Sequence, residues 1–256
     1  MGLLTGKVAI ISGAGTGLGK GTAVAMAREG ACVTLLGRRL EKVQEVARDI
    51  EAIGGRALAL HCDIRDRAQV DAAVAETVRQ FGTVDILVNN ATAGLAEFHM
   101  VPIDQVSVED MEAHYRTDVL GYLYCMQACF PYMKEHGGKV INIGSDASTS
   151  GMPASGSYPI MKEAVRGLTK AAAMDWARYQ IAVNCICPAG RSEGYNEWIR
   201  TLPPGGEQAV VAGIPMGRMG DPEQDVGRAV VAFASDLTSF ITGRTIHVDG
   251  GLGTFR

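Results

Sequence analysis

A serine, a tyrosine and a lysine in the second half of the chain form its clearest chemical constellation. Tyr158 and Lys162 are four residues apart, so in a helix their side chains share one face. A free phenol titrates at about 10, and a lysine ammonium beside it favours the phenolate at lower pH. Ser145 follows the apolar run 140–143 and can offer a hydroxyl from a strand end. Around one carbonyl or alcohol oxygen, Tyr158 would exchange the proton, Lys162 would acidify the phenol and Ser145 would hydrogen-bond the oxygen.

The spacing Tyr-x-x-x-Lys is also that of any exposed helix pair, so its meaning depends on the elements that position it. Pro159 fits the first turn of a helix, where its missing N–H costs little. An apolar strand is predicted just before Ser145, at 139–143, and the helix that carries Lys162 is predicted to run to about residue 179. These elements would hold the three side chains at one edge of a sheet.

A glycine-rich turn near the N-terminus predicts a second site. It follows an apolar run at 7–12, opens a helical pattern that extends to about residue 29, and precedes a second strand at 32–36. Glycines allow close approach of the backbone to a ligand, and a helix N-terminus offers free N–H groups and a positive dipole end. This βαβ unit suits a dinucleotide pyrophosphate. The turn residues expected to contact it are Gly13, Gly15, Thr16, Gly17, Leu18 and Gly19.

The residues after the second strand, Gly37, Arg38 and Arg39, bear on the choice of dinucleotide. An enzyme that binds an unphosphorylated ribose usually has an acidic residue there, which accepts from the 2′-hydroxyl. Arg38 instead suits a 2′-phosphate through a charge-assisted contact. The sequence therefore favours NADP(H) over NAD(H). A pair of solvated arginines that opens the next helix is the structural alternative.

Strands and helices alternate along the rest of the chain. Further helices are predicted at 40–53, 67–81, 108–135 and 222–235, and further strands at 57–61, 84–88, 181–187 and 245–248. This order predicts an α/β fold in one domain, 1–256, which is a Rossmann-type three-layer sandwich around a doubly wound parallel sheet. Residues at about 190–220 are rich in Gly and Pro and are predicted to form a substrate lid. Aromatic and apolar residues suggest an apolar substrate pocket: Phe98, Met100, Tyr195 and Trp198.

Two predicted strands end in residues that would lie beside the dinucleotide. Asp63 and Ile64 follow the third strand, and Asn90 and Ala91 follow the fourth. The carboxyl ends of strands in such sheets line the ligand crevice. A turn-forming Asp or Asn is the alternative explanation.

Composition disfavours several other classes of function. The 256 residues are 47% hydrophobic with a net charge of −4 and no basic stripe, so neither nucleic acid nor an anionic membrane is expected as a partner. No apolar run reaches the roughly 18 residues of a membrane span, and residues 1–7 lack signal-peptide features, which predicts a cytoplasmic location. Five scattered histidines predict no metal site, and the six cysteines, without a Cys-x-x-Cys pair, are expected to be core residues.

With these residues in place, the sequence resembles the short-chain dehydrogenase/reductase family along nearly its whole length. The resemblance implies a seven-stranded Rossmann-type domain that transfers hydride between a nicotinamide and a carbonyl or alcohol, with Lys162 also holding the nicotinamide ribose. It implies a homotetramer or dimer built through the helices at 108–135 and 157–179. The residues that carry it occur in the family's order: Ser12, Gly13, Gly17, Gly19, Asp63, Asn89, Asn90, Ala91, Ser145, Tyr158, Lys162, Pro188, Ile241, Thr242, Gly243, Val248, Asp249, Gly250 and Gly251.

Three departures from the family pattern lie at the nicotinamide end. Asp118 replaces an asparagine that usually holds a relay water, and its negative charge could pair with Lys162. Thr92 follows Asn-Asn-Ala where a glycine is usual. Ala189 is inserted between Pro188 and Gly190, and Ser192 is the nearest substitute for a threonine that contacts the carboxamide.

Two functions follow from this pattern. The first is an oxidoreductase that interconverts a secondary alcohol and a ketone or 3-oxoacyl carbonyl, with Ser145, Tyr158, Lys162 and Asp118 as its catalytic residues. The aspartate is similar to that of the dienoyl-CoA reductase branch, which is a hint toward acyl thioesters. The second is a catalytically impaired subunit that keeps the fold and scaffolds an active partner, because all three departures cluster where hydride transfer would occur.

Overall fold

Seven parallel strands form one sheet in the computed structural model, which describes residues 2–93 and 99–253. Along the sheet their order is β3-β2-β1-β4-β5-β6-β7. The first three strands extend the sheet in one direction and β4 to β7 extend it in the other, so the strand order reverses between β1 and β4. In such sheets the crevice at this switch point receives the ligand. The strands are β1 (Val8–Ser12), β2 (Cys32–Gly37), β3 (Arg56–His61), β4 (Ile86–Asn89), β5 (Gly138–Ile143), β6 (Ile181–Pro188) and β7 (Thr245–Val248). The predicted Rossmann-type sheet is confirmed.

Helices cover both faces of the sheet. On one face, α1 (Gly17–Arg28), α2 (Leu40–Ala52) and α10 (Arg228–Ala234) bury one apolar cluster against the strands. On the other face, a second cluster is buried by α3 (Arg67–Phe81), α5 (Tyr122–His136) and α7 (Tyr158–Trp176). Strands covered on both sides are continuous apolar runs, as β1, β4 and β6 are. This is the predicted three-layer sandwich.

The helix predicted at 108–135 is not a uniform α-helix. It begins as α4 (Val108–His114), continues as a π-helical segment (Tyr115–Gly121) and ends as α5. Segments with the wider π-type hydrogen bonding are rare and occur frequently at functional sites. Asp118 lies in this segment and is buried. Periodicity does not distinguish the two helix types, so the sequence did not predict this change.

The segment predicted as a lid contains two short helices, α8 (Glu193–Ile199) and α9 (Gly206–Ala212). Its two ends meet where Gly220 N donates to Ala189 O at 2.9 Å and Arg191 N donates to Gly220 O at 3.0 Å. The helix predicted at 222–235 begins with a π-helical turn (Pro222–Gly227) before α10. A further short helix, α6 (Asp146–Ser150), follows β5.

The cysteines behave as the sequence predicts. All six have free thiols, and five of them are buried. Burial raises the pKa of the Cys62 and Cys129 thiols to about 12, which keeps them protonated. Across 2–93 and 99–253, no helix is both long enough and apolar enough to cross a membrane.

Candidate active site

Residues that directly follow β4 hold the glycine-rich turn in place. Asn90 Nδ2 donates to the carbonyl oxygens of Ser12 and Gly13, both at 3.0 Å. Ser12 Oγ accepts from the backbone N–H groups of Asn90 at 3.0 Å and Ala91 at 3.2 Å. Gly13 has φ +65°, and a Cβ there would lie 2.8 Å from the Cα of Ala91. Asn90 and Ala91 therefore fix the turn, and Gly13 is required where the two segments approach.

The N-terminus of α1 opens toward the crevice. Its N-cap residue, Thr16, makes no side-chain capping bond, and the first turn contains no acidic residue. The first N–H groups of a helix have no partner within the helix, so this end suits an anion. Leu18 packs on the lid base, because a Cβ on Gly190 would lie 2.8 Å from Leu18 Cδ2. The structure thus brings the predicted residues of the turn and of the lid base together.

Arginines surround the carboxyl ends of β2 and β3. Asp63 accepts from Arg65 Nη2 at 2.6 Å, and Arg38 is exposed close by. Burial raises the pKa of Asp63, but the Arg65 hydrogen bonds and the charges of Arg65 and Arg38 outweigh it, so the pKa is lowered. Ile64 is buried against Gly121 of the π-helical segment. Asp63 and Arg38 therefore lie at one corner of the crevice.

The carboxylate of Glu193, in the predicted lid, contacts the glycine-rich turn, and the sequence did not predict this contact. Glu193 Oε2 accepts from Thr16 Oγ1 at 2.7 Å and from Arg39 Nη2 at 2.8 Å. A Cβ on Gly17, at φ +51°, would lie 2.9 Å from the backbone nitrogen of Glu193. Burial raises the pKa of Glu193, but its bonds to Arg39 and Thr16 leave it lowered. A cleft of about 290 Å³ is lined there by Thr16, Gly17, Glu193, Asn196, Glu197 and Arg200.

The proposed acid and its lysine lie at the other end of the crevice. Tyr158 is the first residue of α7, and Lys162 follows one turn later, with Nζ 5.8 Å from the centre of the Tyr158 ring. Lys162 Nζ also donates to the carbonyl oxygen of Ile143 at 3.1 Å. Ile143 ends β5, two residues before Ser145, which caps α6 by accepting from Ala147 N at 3.2 Å. The structure thus places the Ser145 segment beside Lys162.

Asp118 and Lys162 form a buried ion pair. Their Oδ1 and Nζ atoms are 3.2 Å apart, and their side chains are 0% and 2% exposed. Burial lowers the pKa of Lys162, but the charges of Asp118 and of the phenol groups of Tyr122 and Tyr158 outweigh it, so the pKa is raised. Lys162 therefore stays protonated through the neutral range. The pairing suggested by the sequence is present.

Two of the three departures from the family pattern contact each other. Thr92 Oγ1 donates to Asp118 Oδ2 at 3.0 Å, so both carboxylate oxygens of Asp118 have a partner. A buried carboxylate without such partners would be costly. The third departure has a structural role, because Ser192 Oγ accepts from Tyr195 N at 2.9 Å and caps α8.

The predicted apolar residues of the lid pack within the lid. Tyr195 packs against a small buried cluster of Ala189, Ile214 and Met219, and its ring lies edge-on to that of Trp198 at 6.2 Å. Of the other two residues predicted to line a pocket, Met100 is half-buried in the loop before α4, and Phe98 lies outside the described residues. The apolar character of Tyr195 is therefore accounted for by lid packing.

A cluster of three ionisable side chains next to Ser145 was also not predicted from the sequence. His247 Nδ1 lies 3.4 Å from Asp146 Oδ1 and 3.6 Å from Asp249 Oδ2. Within residues 2–93 and 99–253, this is the one group of three such side chains arranged so that it could hold a metal ion. Asp249 also accepts from Gly253 N at 2.7 Å. His247 and Asp249 are two residues apart, but Asp146 lies far from them in the sequence, so spacing could not reveal the group of three.

Comparison with known proteins agrees with this architecture. A family model described as enoyl-(acyl carrier protein) reductase matches residues 13–253. The chain is 35% identical over 260 residues to a 12alpha-hydroxysteroid dehydrogenase from a Clostridium species, covering 99% of both chains. It superposes on the NADH complex of a Brucella melitensis 3-ketoacyl-(acyl-carrier-protein) reductase with TM-score 0.88, 33% identity and coverage of 98% and 99%. For levodione reductase the TM-score is 0.93, the identity 26% and the coverage 99% and 100%.

These matches extend over the glycine-rich turn, the sheet and the Ser145–Tyr158–Lys162 region together. The family model spans all of the strands after β1 and all of the helices named above. The resemblance found in the sequence is therefore confirmed, and the chain belongs to the short-chain dehydrogenase/reductase family of oxidoreductases.

Proposed function

We propose that the protein interconverts a secondary alcohol and a ketone or 3-oxoacyl carbonyl, using NADP(H) and the side chains of Ser145, Tyr158 and Lys162. The observation that carries the proposal is the buried ammonium of Lys162, which is held by Asp118 with Nζ 5.8 Å from the Tyr158 ring. A fixed positive charge at this distance stabilises a phenolate. The names of the hydroxysteroid dehydrogenase and 3-ketoacyl reductase relatives support the same reaction class.

The residues of the crevice fit a dinucleotide. The uncapped N-terminus of α1 and the turn held by Asn90 suit a pyrophosphate. Asp63, Ile64, Ala91, Pro188 and Gly190 would line the remainder of its site. When bound, the nicotinamide would supply or accept the hydride at the reacting carbon.

The preference for NADP(H) over NAD(H) rests on charge at the end of β2. Arg38 lies at this end of β2, and its positive charge helps to lower the pKa of the nearby Asp63 carboxyl. No acidic residue follows β2 to accept from a 2′-hydroxyl. This corner therefore favours a phosphate over an unmodified ribose.

In the reductive direction, Tyr158 gives its phenolic proton to the substrate oxygen while Ser145 donates a hydrogen bond to the same oxygen. The Lys162 ammonium, fixed between Asp118 Oδ1 and the carbonyl oxygen of Ile143, stabilises the phenolate that remains. In the oxidative direction, the phenolate removes the proton of the alcohol. We further propose that the lid at about 190–220 closes over the substrate and that the chain forms a homotetramer or dimer through the helices at 108–136 and α7.

The alternative function, an inactive subunit that scaffolds an active partner, rests on the departures from the family pattern. The Thr92–Asp118–Lys162 contacts favour the enzyme, because they join two of these departures to the lysine in one connected arrangement. Loss of function through drift would not be expected to leave the buried Asp118 carboxylate with a partner on each of its two oxygens.

The experiment that separates the two functions is turnover by the purified chain alone. Acetoacetyl-CoA, cyclohexanone, fructose and a 12-oxosteroid are each incubated with NADPH, and NADPH loss is followed by absorbance. We expect at least one of the four carbonyl compounds to be reduced. Binding of NADPH without turnover of any of them, until a homologous subunit is added, would establish the scaffold instead.

A further inference from the structure

A buried histidine packs against Tyr158, and the proposed reaction does not use it. His114 is the last residue of α4 and is 0% exposed. Its ring centre is 5.8 Å from that of Tyr158, and the ring planes are tilted by 50°. His114 Nδ1 lies 2.5 Å from Oγ of Ser157, which immediately precedes Tyr158 and is also 0% exposed. The histidine is therefore connected to Tyr158 both through its ring and through the preceding residue.

The direction of these hydrogen bonds follows from the number of available protons. Ser157 Oγ donates to the backbone carbonyl oxygen of Asp110 at 3.2 Å. A serine hydroxyl has one proton, so Ser157 Oγ must accept the second bond from the N–H at His114 Nδ1. His114 is thereby assigned the proton on Nδ1. The order of donors runs from His114 to Ser157 and then to the backbone of α4.

The Ser157 side chain is not used to cap its own helix. A serine at the N-cap position usually accepts from an N–H group in the first helical turn. Ser157 is the N-cap of α7, yet its side chain makes no capping bond there. Its hydroxyl instead joins the start of α7 to α4. Because Ser157 has a helical backbone, with φ −76° and ψ −15°, and not the extended form of a capping serine, its hydroxyl is available for the contact with His114.

The same network reaches the loop in front of α4. His99 N donates to the Asp110 carboxylate at 3.1 Å, and Gly156 N donates to the carbonyl oxygen of Val101 at 3.0 Å. Residues on three segments, the loop at 99–101, α4 and the start of α7, are therefore tied together at Tyr158. The first turn of a helix lacks intrahelical partners for its N–H groups, so a side chain located there depends on such ties for a fixed position.

We infer, resting on the proposed role of Tyr158, that His114 acts through Ser157 as a positioning residue for the Tyr158 phenol. Its ring contact and its hydrogen bond to Ser157 fix the ring and the backbone of Tyr158. Proton transfer requires the phenol within hydrogen-bond distance of the substrate oxygen, and a misplacement of about 1 Å can reduce the rate about 100-fold. His114 is a positioning residue because it acts on the reaction through Tyr158.

The test compares variants that keep or remove the donor at Nδ1. His114→Asn places an amide N–H where Nδ1 lies, whereas His114→Leu and Ser157→Ala each remove one side of the bond. With NADPH and the carbonyl compound of the four-member panel that the wild type reduces fastest, we expect His114→Leu and Ser157→Ala to lower kcat about tenfold. KM for NADPH should change less than about twofold, and His114→Asn should keep more than about half of kcat.

A double variant and a matched control separate positioning from general loss of stability. His114→Leu combined with Ser157→Ala should be no slower than the slower single variant, because both remove the same bond. Thr77→Val removes a buried hydrogen bond between Thr77 of α3 and Thr34 of β2. We expect Thr77→Val to lower the urea midpoint while kcat stays at the wild-type value.

Tyr158→Phe, assayed in parallel, distinguishes failure of this inference from failure of the proposed function. If Tyr158→Phe is inactive while Ser157→Ala keeps wild-type kcat, the inference is overturned and the proposed function stands. An equal loss of kcat in His114→Asn and His114→Leu, or in Thr77→Val, also overturns it. If Tyr158→Phe keeps wild-type turnover, or no panel compound is reduced, both fall together. Should His114→Leu fail to fold, Ser157→Ala decides alone.

Discussion

Each end of the crevice has an ion pair, and the two pairs differ in how far they are buried. At the reactive end, Lys162 and Asp118 are 2% and 0% exposed, whereas Arg39 and Glu193 on the glycine-rich turn are 53% and 44% exposed. A buried pair that loses one partner leaves an uncompensated charge at a cost of about 3–5 kcal/mol. An exposed pair contributes about 0–1 kcal/mol and is weakened by salt. The reactive end is therefore fixed in advance, while the pair on the turn can exchange its partners for a ligand.

The largest effect should come from breaking the buried pair. Lys162→Met leaves the Asp118 carboxylate buried without its cation, so we expect a loss of about 3–5 kcal/mol in the free energy of unfolding, measured in urea. Turnover should be abolished as well. Adding Asp118→Leu should restore much of the stability without restoring turnover. An unchanged urea midpoint in Lys162→Met would show that the pair is not desolvated as the structure indicates.

Cofactor preference is the next largest expected effect. Arg38→Asp replaces a phosphate partner with a repulsive charge and provides an acceptor for a 2′-hydroxyl. The ratio of the NADH and NADPH dissociation constants should shift toward NADH by about 10- to 150-fold, as expected for about 1.5–3 kcal/mol. Arg39→Gln, next to it, is the control and should change the ratio much less. Wild-type protein that binds NADH as tightly as NADPH would overturn the preference.

A smaller effect is expected on the pH dependence of turnover. Asp118→Asn removes a negative charge, so the Lys162 charge stabilises the Tyr158 phenolate more strongly and the phenolic proton leaves at lower pH. The fall of the reductive rate and the rise of the oxidative rate with pH should both move down by about one unit. In the wild type, the pKa of Lys162 is raised, so its deprotonation does not produce either of these pH dependences. Thr92→Val keeps the charge and should move the profile less; an upward shift would contradict the assignment.

The smallest effect should be at the exposed pair. Glu193→Gln should change the free energy of unfolding by less than about 1 kcal/mol near pH 7 and tighten NADPH binding about two- to fivefold. The lowered pKa of Glu193 means that its contribution is present above its ordinary value of 4.5 and is lost as the pH falls below it. The variant should lack this acid dependence. A loss comparable to that in Lys162→Met would remove the distinction between the two ends.

Local sequence predicted the sheet well because each strand is a short apolar run bounded by turn residues. The glycine-rich turn and the Tyr158–Lys162 spacing were likewise local patterns. Contacts between distant residues were not predictable in this way. Thr16 and Glu193 are 177 residues apart, His114 and Ser157 are 43 apart, and Thr92 and Asp118 are 26 apart.

The helices of the lid and the π-helical segment were missed for a related reason. The short helix α8 depends on capping by Ser192 and on packing of Tyr195 against Met219, which periodicity over seven residues does not reveal. The π-helical segment around Asp118 is seven residues long, too short for its apolar spacing to distinguish it from an α-helix. Gly121, its last residue, packs against Ile64, which is distant in the sequence and which local spacing could not reveal.

The most direct test of the account is turnover by Tyr158→Phe with NADPH and the best carbonyl substrate of the wild type. The variant keeps the ring beside Lys162 and His114 but has no phenolic proton. We expect kcat to fall at least about 100-fold, within the usual contribution of general acid catalysis, while the dissociation constant for NADPH stays within about twofold. Wild-type turnover by Tyr158→Phe would contradict the central claim that Tyr158 exchanges the proton.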